Sequence, residues 1–188
     1  MEESMAGEFL EAFALVFTAE IGDKTQLMLM TLSAKYTMMQ MLLGILLGVL
    51  INHGAAVVIG CCLSSVIQGE LLQIFAGFIF VVFGILTIVY EEEEGKKKSF
   101  KFGPVITTAL TFLLGEMGDK TQLTAMTLAM EADYPALVLT GSVTGMLAIG
   151  LVGIIIGSSL TKRIPSNIIR IISGLIFIIF GLMRFIGK

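Results

Sequence analysis

An eight-residue stretch dense in polar and charged side chains occurs twice in this chain, each time near the middle of a long apolar run. The first copy is Glu20-Ile21-Gly22-Asp23-Lys24-Thr25-Gln26-Leu27. The second is Glu116-Met117-Gly118-Asp119-Lys120-Thr121-Gln122-Leu123, identical at seven of eight positions and 96 residues later. An ionisable group held at the centre of a bilayer costs at least ~2.5 kcal/mol, so such groups face a protein interior or a water-filled cavity and mark a pathway. The two copies therefore read as two halves of one cation site.

The membrane setting follows from composition. The chain has 188 residues, of which 56% are hydrophobic and 14% charged, and its mean hydropathy is +0.95. A soluble domain carries about a quarter charged residues. The charges cluster between apolar runs, and about 20 apolar residues span a bilayer as a helix. Six runs are legible: Phe9 to Ser33, Met38 to Leu63, Leu71 to Tyr90, Phe102 to Met130, Ala136 to Leu160 and Ile168 to Ile186. The predicted fold class is an all-α polytopic membrane protein with six transmembrane helices. The net charge of −3 gives no basis for a nucleic-acid partner. Cys61 and Cys62 are adjacent, which makes a poor disulfide pair and no metal-site spacing; they read as small apolar filler. The acidic start, Met1 to Glu8, lacks the basic region of a signal peptide.

The duplication extends beyond the motif. After one inserted residue the offset becomes 97, and Gly44, Gly48, Gly60, Gly77 and Gly84 then match Gly141, Gly145, Gly157, Gly174 and Gly181. Phe80 and Phe83 match Phe177 and Phe180. The chain divides into a three-helix repeat at 1–90, a charged linker at 91–101 and a second three-helix repeat at 102–188. An odd number of spans per repeat reverses the second copy, giving two inverted three-helix repeats with a site at their interface near the midplane. Gly44/Gly48 and Gly141/Gly145 form G-xxx-G pairs that permit close helix approach. They also allow a homo-oligomer.

Lysine and arginine set the orientation. Lys35, Lys96, Lys97, Lys98, Lys101, Lys162 and Arg163 fall on one side, with Arg170 close by, whereas the other side has only Arg184 and Lys188. The linker is therefore expected in the cytosol and both termini outside it.

In a continuous helix Glu20 and Asp23 share one face, as do Glu116 and Asp119, and bringing the two motif helices together gathers four carboxylates. Gly22 and Gly118 weaken the helix there, and carbonyls freed at a break can join a coordination shell. Thr25, Gln26, Thr121 and Gln122 add neutral oxygens. An all-oxygen ligand set suits calcium, manganese or magnesium better than zinc or copper. Magnesium resists full dehydration, which leans the choice to calcium or manganese and leaves those two open. Protons and a divalent cation compete for crowded carboxylates, which is a simple basis for exchange. Lys24 and Lys120 lie four residues after Glu20 and Glu116. They serve either as structural charge partners that lock a gate, or as mobile cations that replace the metal during the cycle. Asn52 and His53 have Ile149 and Gly150 as counterparts and so fall outside the symmetric device. His53 reads as a proton relay or as a hydrogen-bonded core histidine. Ser142 and Thr144 line the cavity or bond backbone. Glu11 is a solvated helix end or the rim of an external entrance.

The doubled E-x-G-D-[KR]-[TS] signature resembles a family of small membrane proteins that includes Golgi and thylakoid manganese/calcium transporters and prokaryotic manganese exporters. They are distant relatives of the cation/calcium antiporter superfamily. The resemblance covers nearly the whole chain and implies divalent cation/proton exchange with Mn²⁺ or Ca²⁺ as substrate and no further cofactor. It makes Glu20, Asp23, Glu116 and Asp119 the cation-binding acids, with Lys24, Thr25, Lys120 and Thr121 completing the motif and Gln26 and Gln122 extending it. The chain lacks the long targeting region of eukaryotic relatives, which favours a cell (inner) membrane. A passive cation channel is the alternative. An intramembrane hydrolase finds no nucleophile–base or histidine–metal constellation to support it.

Overall fold

The computed structural model describes residues 2–21, 24–33, 35–67, 70–89, 102–160 and 166–186. The described residues form eight helical segments: α1 (Glu2–Glu20), α2 (Lys24–Ser33), α3 (Met38–Val66), α4 (Glu70–Val89), α5 (Pro104–Gly115), α6 (Lys120–Glu131), α7 (Pro135–Leu160) and α8 (Ser166–Ile186). There are no strands among them. Local chemistry explains several starts. Thr37 and Gln40 close a capping box ahead of α3, and α5 opens with Pro104 in its first turn after the N-cap Gly103.

Three helices are long and apolar enough to cross a membrane by length and composition: Met38–Val66, Leu71–Val89 and Pro135–Ile155. Shorter apolar helices cover Pro104–Gly115 and Gly174–Phe185. A broad apolar exterior accompanies them, with Leu71, Phe78, Ile155, Ile179 and Met183 among the exposed side chains. This is the pattern of a multi-pass membrane protein, in which lipid covers the outward faces.

The motif regions depart from the expected continuous helices. α1 ends at Glu20 and α2 begins at Lys24; α5 ends at Gly115 and α6 begins at Lys120. The second predicted motif span is therefore a pair of shorter helices with the motif at the break, and α1 likewise stops at Glu20, inside the first motif. Asp23 and Gly22 lie outside the described residues, as do the linker 91–101, Lys162, Arg163 and the side chains of Lys24 and Gln26.

Packing depends on glycine. A Cβ on Gly44 would stand 2.8 Å from Val105 O, and one on Gly48 2.6 Å from Ala109 O, so α3 lies directly against the backbone of α5. Gly141 meets Phe9 O, and Gly145 meets Phe13 O at 2.9 Å, which brings α7 equally close to α1. Val105 and Ala109 are the counterparts of Phe9 and Phe13 at the motif offset of 96. Between α4 and α8, Gly77 faces Gly181 O at 2.9 Å and Gly174 faces Gly84 O at 2.7 Å. Each contact thus has a twin in which the two sequence halves exchange roles.

Two buried apolar clusters flank the motif level. One gathers Ala12, Leu15, Ala19, Ala56, Val57, Phe80, Ala125 and Phe177. The other gathers Val16, Leu29, Ile45, Val49, Phe112, Met146 and Ile149. On α3, Asn52 and His53 fall between Val49 of one cluster and Ala56 of the other. The two cysteines are free thiols, Cys62 exposed.

Candidate cation site

The second motif can be followed atom by atom. Glu116 is the C-cap of α5, and its N–H still reaches Phe112 O. Gly118 then takes φ 79°, a left-handed conformation that costs glycine little and an L side chain much more. Asp119 is extended, with φ −76° and ψ 166°, and forms the N-cap of α6. The expected i, i+3 helical relation between Glu116 and Asp119 is replaced by a tight turn closed by Asp119 N–H donating to Glu116 O at 3.1 Å. The same break removes the assumed i, i+4 helical geometry for Lys120, which becomes the first residue of a new helix and is half-buried. The Asp119 side chain makes no cap hydrogen bond to the helix it starts. At α5 and α6 lengths of 12 residues each, the break lies about 18 Å from the outer end of either helix.

The two halves meet through carboxylates. Glu20 is 0% exposed and Glu116 1% exposed. The Thr25 hydroxyl, also fully buried, stands 2.6 Å from Glu20 Oε2 and 3.0 Å from Glu116 Oε1. One ligand-capable oxygen from each of Glu20, Glu116 and Asp119 lies within 4.8 Å of the others. Oxygens bound to one calcium ion at 2.3–2.6 Å sit at most about 5 Å apart, so these three can share a single divalent cation. No histidine or cysteine belongs to the cluster, which keeps the ligand set hard and oxygen-only.

The neutral motif residues divide. The Thr121 hydroxyl is buried and has no hydrogen-bond partner among the described residues. Gln122 is engaged at the break itself: its Oε1 accepts from Gly118 N–H at 2.6 Å, and its Nε2 donates to Asn52 O at 3.3 Å. Asn52 Nδ2 in turn donates to Glu116 O at 3.0 Å. Glu116 O therefore takes two hydrogen bonds, which uses both of its lone pairs. Asn52 falls outside the repeated device because its counterpart in the second half is Ile149. A carboxamide in the middle of an apolar run was itself the signal, since a buried amide needs a partner. Both ring nitrogens of His53 are buried without a hydrogen bond among the described residues. Ser142 and Thr144 bond backbone carbonyls of their own helix.

Glu11 is half-buried and paired. Arg184 Nη2 lies 2.5 Å from Glu11 Oε1, and Arg184 Nε lies 3.0 Å from Glu131 Oε2. The guanidinium also covers the Phe180 ring at 4.7 Å. Glu8 accepts from the backbone N–H groups of Asp133 and Tyr134 at 2.9 and 3.0 Å. These contacts tie α1, α6, the turn after it and α8 together at one end of the bundle.

Comparison with known proteins agrees with this chemistry. A Vibrio cholerae protein described as a candidate manganese exporter is 28% identical over 169 residues, covering 89% of this chain and 84% of its own. An Oryza sativa GDT1-like protein 5 is 24% identical over 227 aligned positions, covering 100% of this chain and 97% of its own. The Saccharomyces cerevisiae divalent cation/proton antiporter GDT1 is 36% identical over 86 residues, which is 45% of this chain and 30% of that protein. No solved structure matches. The family model for the divalent cation/proton antiporter GDT1 matches residues 8–95 and 104–188. The chain belongs to the GDT1 family of divalent cation/proton antiporters, which are transporters and not enzymes.

Proposed function

We propose that this protein exchanges manganese or calcium for protons across a cell membrane and exports the cation from the cytosol. The reading is carried by the Thr25 hydroxyl standing between Glu20 and Glu116, two fully buried carboxylates from opposite halves. A hydroxyl has one proton to donate. Full bonds to both acids require a second proton, held by one of the carboxyls. A divalent cation among the oxygens of Glu20, Glu116 and Asp119 makes that proton unnecessary and displaces it. Cation and proton thus alternate on one set of oxygens.

Asp23, by its match to Asp119, is the fourth acid, and Thr121 a neutral ligand. Lys24 and Lys120 are charge partners of the acids. The architecture proposed is six spans in two inverted repeats, supported by the paired glycine contacts in which the halves exchange roles. The excess of lysine and arginine beside the linker supports a cytosolic linker and termini on the opposite side. The relative described as a candidate manganese exporter supports manganese as cargo and export as the direction.

The test is transport in proteoliposomes. An outward-directed proton gradient should drive manganese or calcium uptake at a saturable rate, and dissipating the gradient should abolish accumulation. Cation flux that ignores the gradient and does not saturate would replace the exchanger with a passive channel.

A further inference from the structure

The two halves of the site are held differently. On the second half, α3 reaches into the break between α5 and α6. Asn52, 2% exposed, donates through Nδ2 to Glu116 O at 3.0 Å. Its own backbone carbonyl accepts from Gln122 Nε2 at 3.3 Å, and Gln122 Oε1 accepts from the N–H of Gly118 at 2.6 Å. The clasp runs from α3 through both sides of the turn that carries Glu116 and Asp119. On the first half the corresponding residue of α7 is Ile149. Ile149 is 2% exposed and packs in an apolar cluster with Leu29, Ile45 and Met146. Its side chain has no group that can donate to a carbonyl.

We infer that Asn52 is a positioning residue for the cation site: it fixes the Glu116–Asp119 turn in the geometry that lets both carboxylates face one cation. The inference rests on the carboxylate cluster being the cation site. Asn52 touches no cation. It occupies the second lone pair of Glu116 O and so holds the peptide plane whose orientation sets the direction of the Glu116 side chain. Two observations make this more than packing. The amide stands in a membrane helix, where an apolar residue would fill the same space without a polar group to satisfy. Its partner is the backbone of a non-helical turn containing a glycine at φ 79°, which the helical ladder anchors only at its two ends, through Glu116 N–H to Phe112 O and Leu123 N–H to Asp119 O. The clasp makes α3, α5 and α6 one unit, against which α1 and α2 bring Glu20 and Thr25.

The test compares wild type with Asn52→Leu, which keeps about the size and removes the donor, and Asn52→Val, which removes the donor with a smaller side chain. Supporting partners of metal ligands contribute about 10- to 100-fold in affinity. Both variants should raise the KM for manganese or calcium by about that factor, while turnover at saturating cation stays within about twofold and thermal stability of the Leu variant is retained. Asn52→Gln, which restores a donor, should recover part of the loss. Amide hydrogen exchange at Gly118 and Asp119 should speed up in the Leu and Val variants alone. Should Asn52→Leu not fold, Asn52→Val decides. Wild-type KM and wild-type exchange in either folded donor-less variant overturns the clasp and leaves the site standing. A wild-type protein that binds neither cation overturns the site and the clasp together.

Discussion

The hydroxyl of Thr25 reaches Glu116 Oε1 at 3.0 Å, a contact between side chains 91 positions apart in the sequence. The same hydroxyl holds Glu20 at 2.6 Å. One small side chain therefore joins the acids of both halves, and its loss should be felt by both. Thr25→Val, which keeps the shape, should lower exchange activity at least about tenfold, equivalent to ~1.4 kcal/mol. Thr25→Ser should retain most of it. Initial rates in proteoliposomes check the pair, and equal activity of Val and Ser variants would remove the hydroxyl from the mechanism.

Proton and metal sharing one set of carboxylates has a definite sign. Apparent cation affinity should fall as pH drops, by about tenfold per pH unit for each proton that binding displaces. Equilibrium binding of manganese and of calcium over a pH series measures the slope. A flat profile would mean that protons leave from elsewhere.

Glycine substitutions should separate backbone contacts from open faces. A Cβ on Gly60 would run into Met126 O, and one on Gly141 into Phe9 O, both backbone atoms that cannot swing aside. Gly60→Ala and Gly141→Ala should each destabilise by about 1–3 kcal/mol. Gly54, on the same helix as Gly60, has nothing within 4 Å of the position its added methyl would take, and Gly54→Ala should be neutral or stabilise by up to ~1 kcal/mol. Thermal denaturation in detergent ranks the three.

Arg184 stands between Glu11 at 2.5 Å and Glu131 at 3.0 Å. Arg184→Met removes the only cation that the described contacts give these acids and should destabilise by about 1–2 kcal/mol, discounted for partial exposure. Combining it with Glu131→Gln should recover part of the loss. A double-mutant cycle on melting temperature measures the coupling, and strict additivity would show the pair to be energetically idle.

Much of this was legible in the sequence. The membrane class followed from hydropathy, and the repeat followed from glycines whose spacing is fixed by backbone-to-backbone contact: Gly44 and Gly141 are small because Val105 O and Phe9 O lie against them. The acids were found because charge in an apolar run is expensive. The helical i, i+3 relation between Glu116 and Asp119 was not borne out, whereas the break that Gly118 permits is present. Helical periodicity carries across Gly118 in the sequence, yet a single left-handed glycine stops α5 and lets α6 restart at Lys120. Asn52 was missed for a related reason. Its partners, Glu116 O and Gln122, are long-range in sequence and partly backbone, and a repeat-based search favours residues that have twins. The pairing of Glu11 with Arg184 spans 173 positions and depends on where two helix ends meet, which no local pattern encodes.

The most direct test of a single site built from both halves is calorimetric titration of manganese or calcium into the purified protein, in two buffers of different ionisation enthalpy, for wild type, Glu20→Gln and Glu116→Gln. The account predicts that wild type binds the cation with release of at least about one proton, and that either substitution alone abolishes both binding and proton release in a protein that remains folded. Undiminished binding in either folded variant, or wild-type binding that releases no proton, would contradict it.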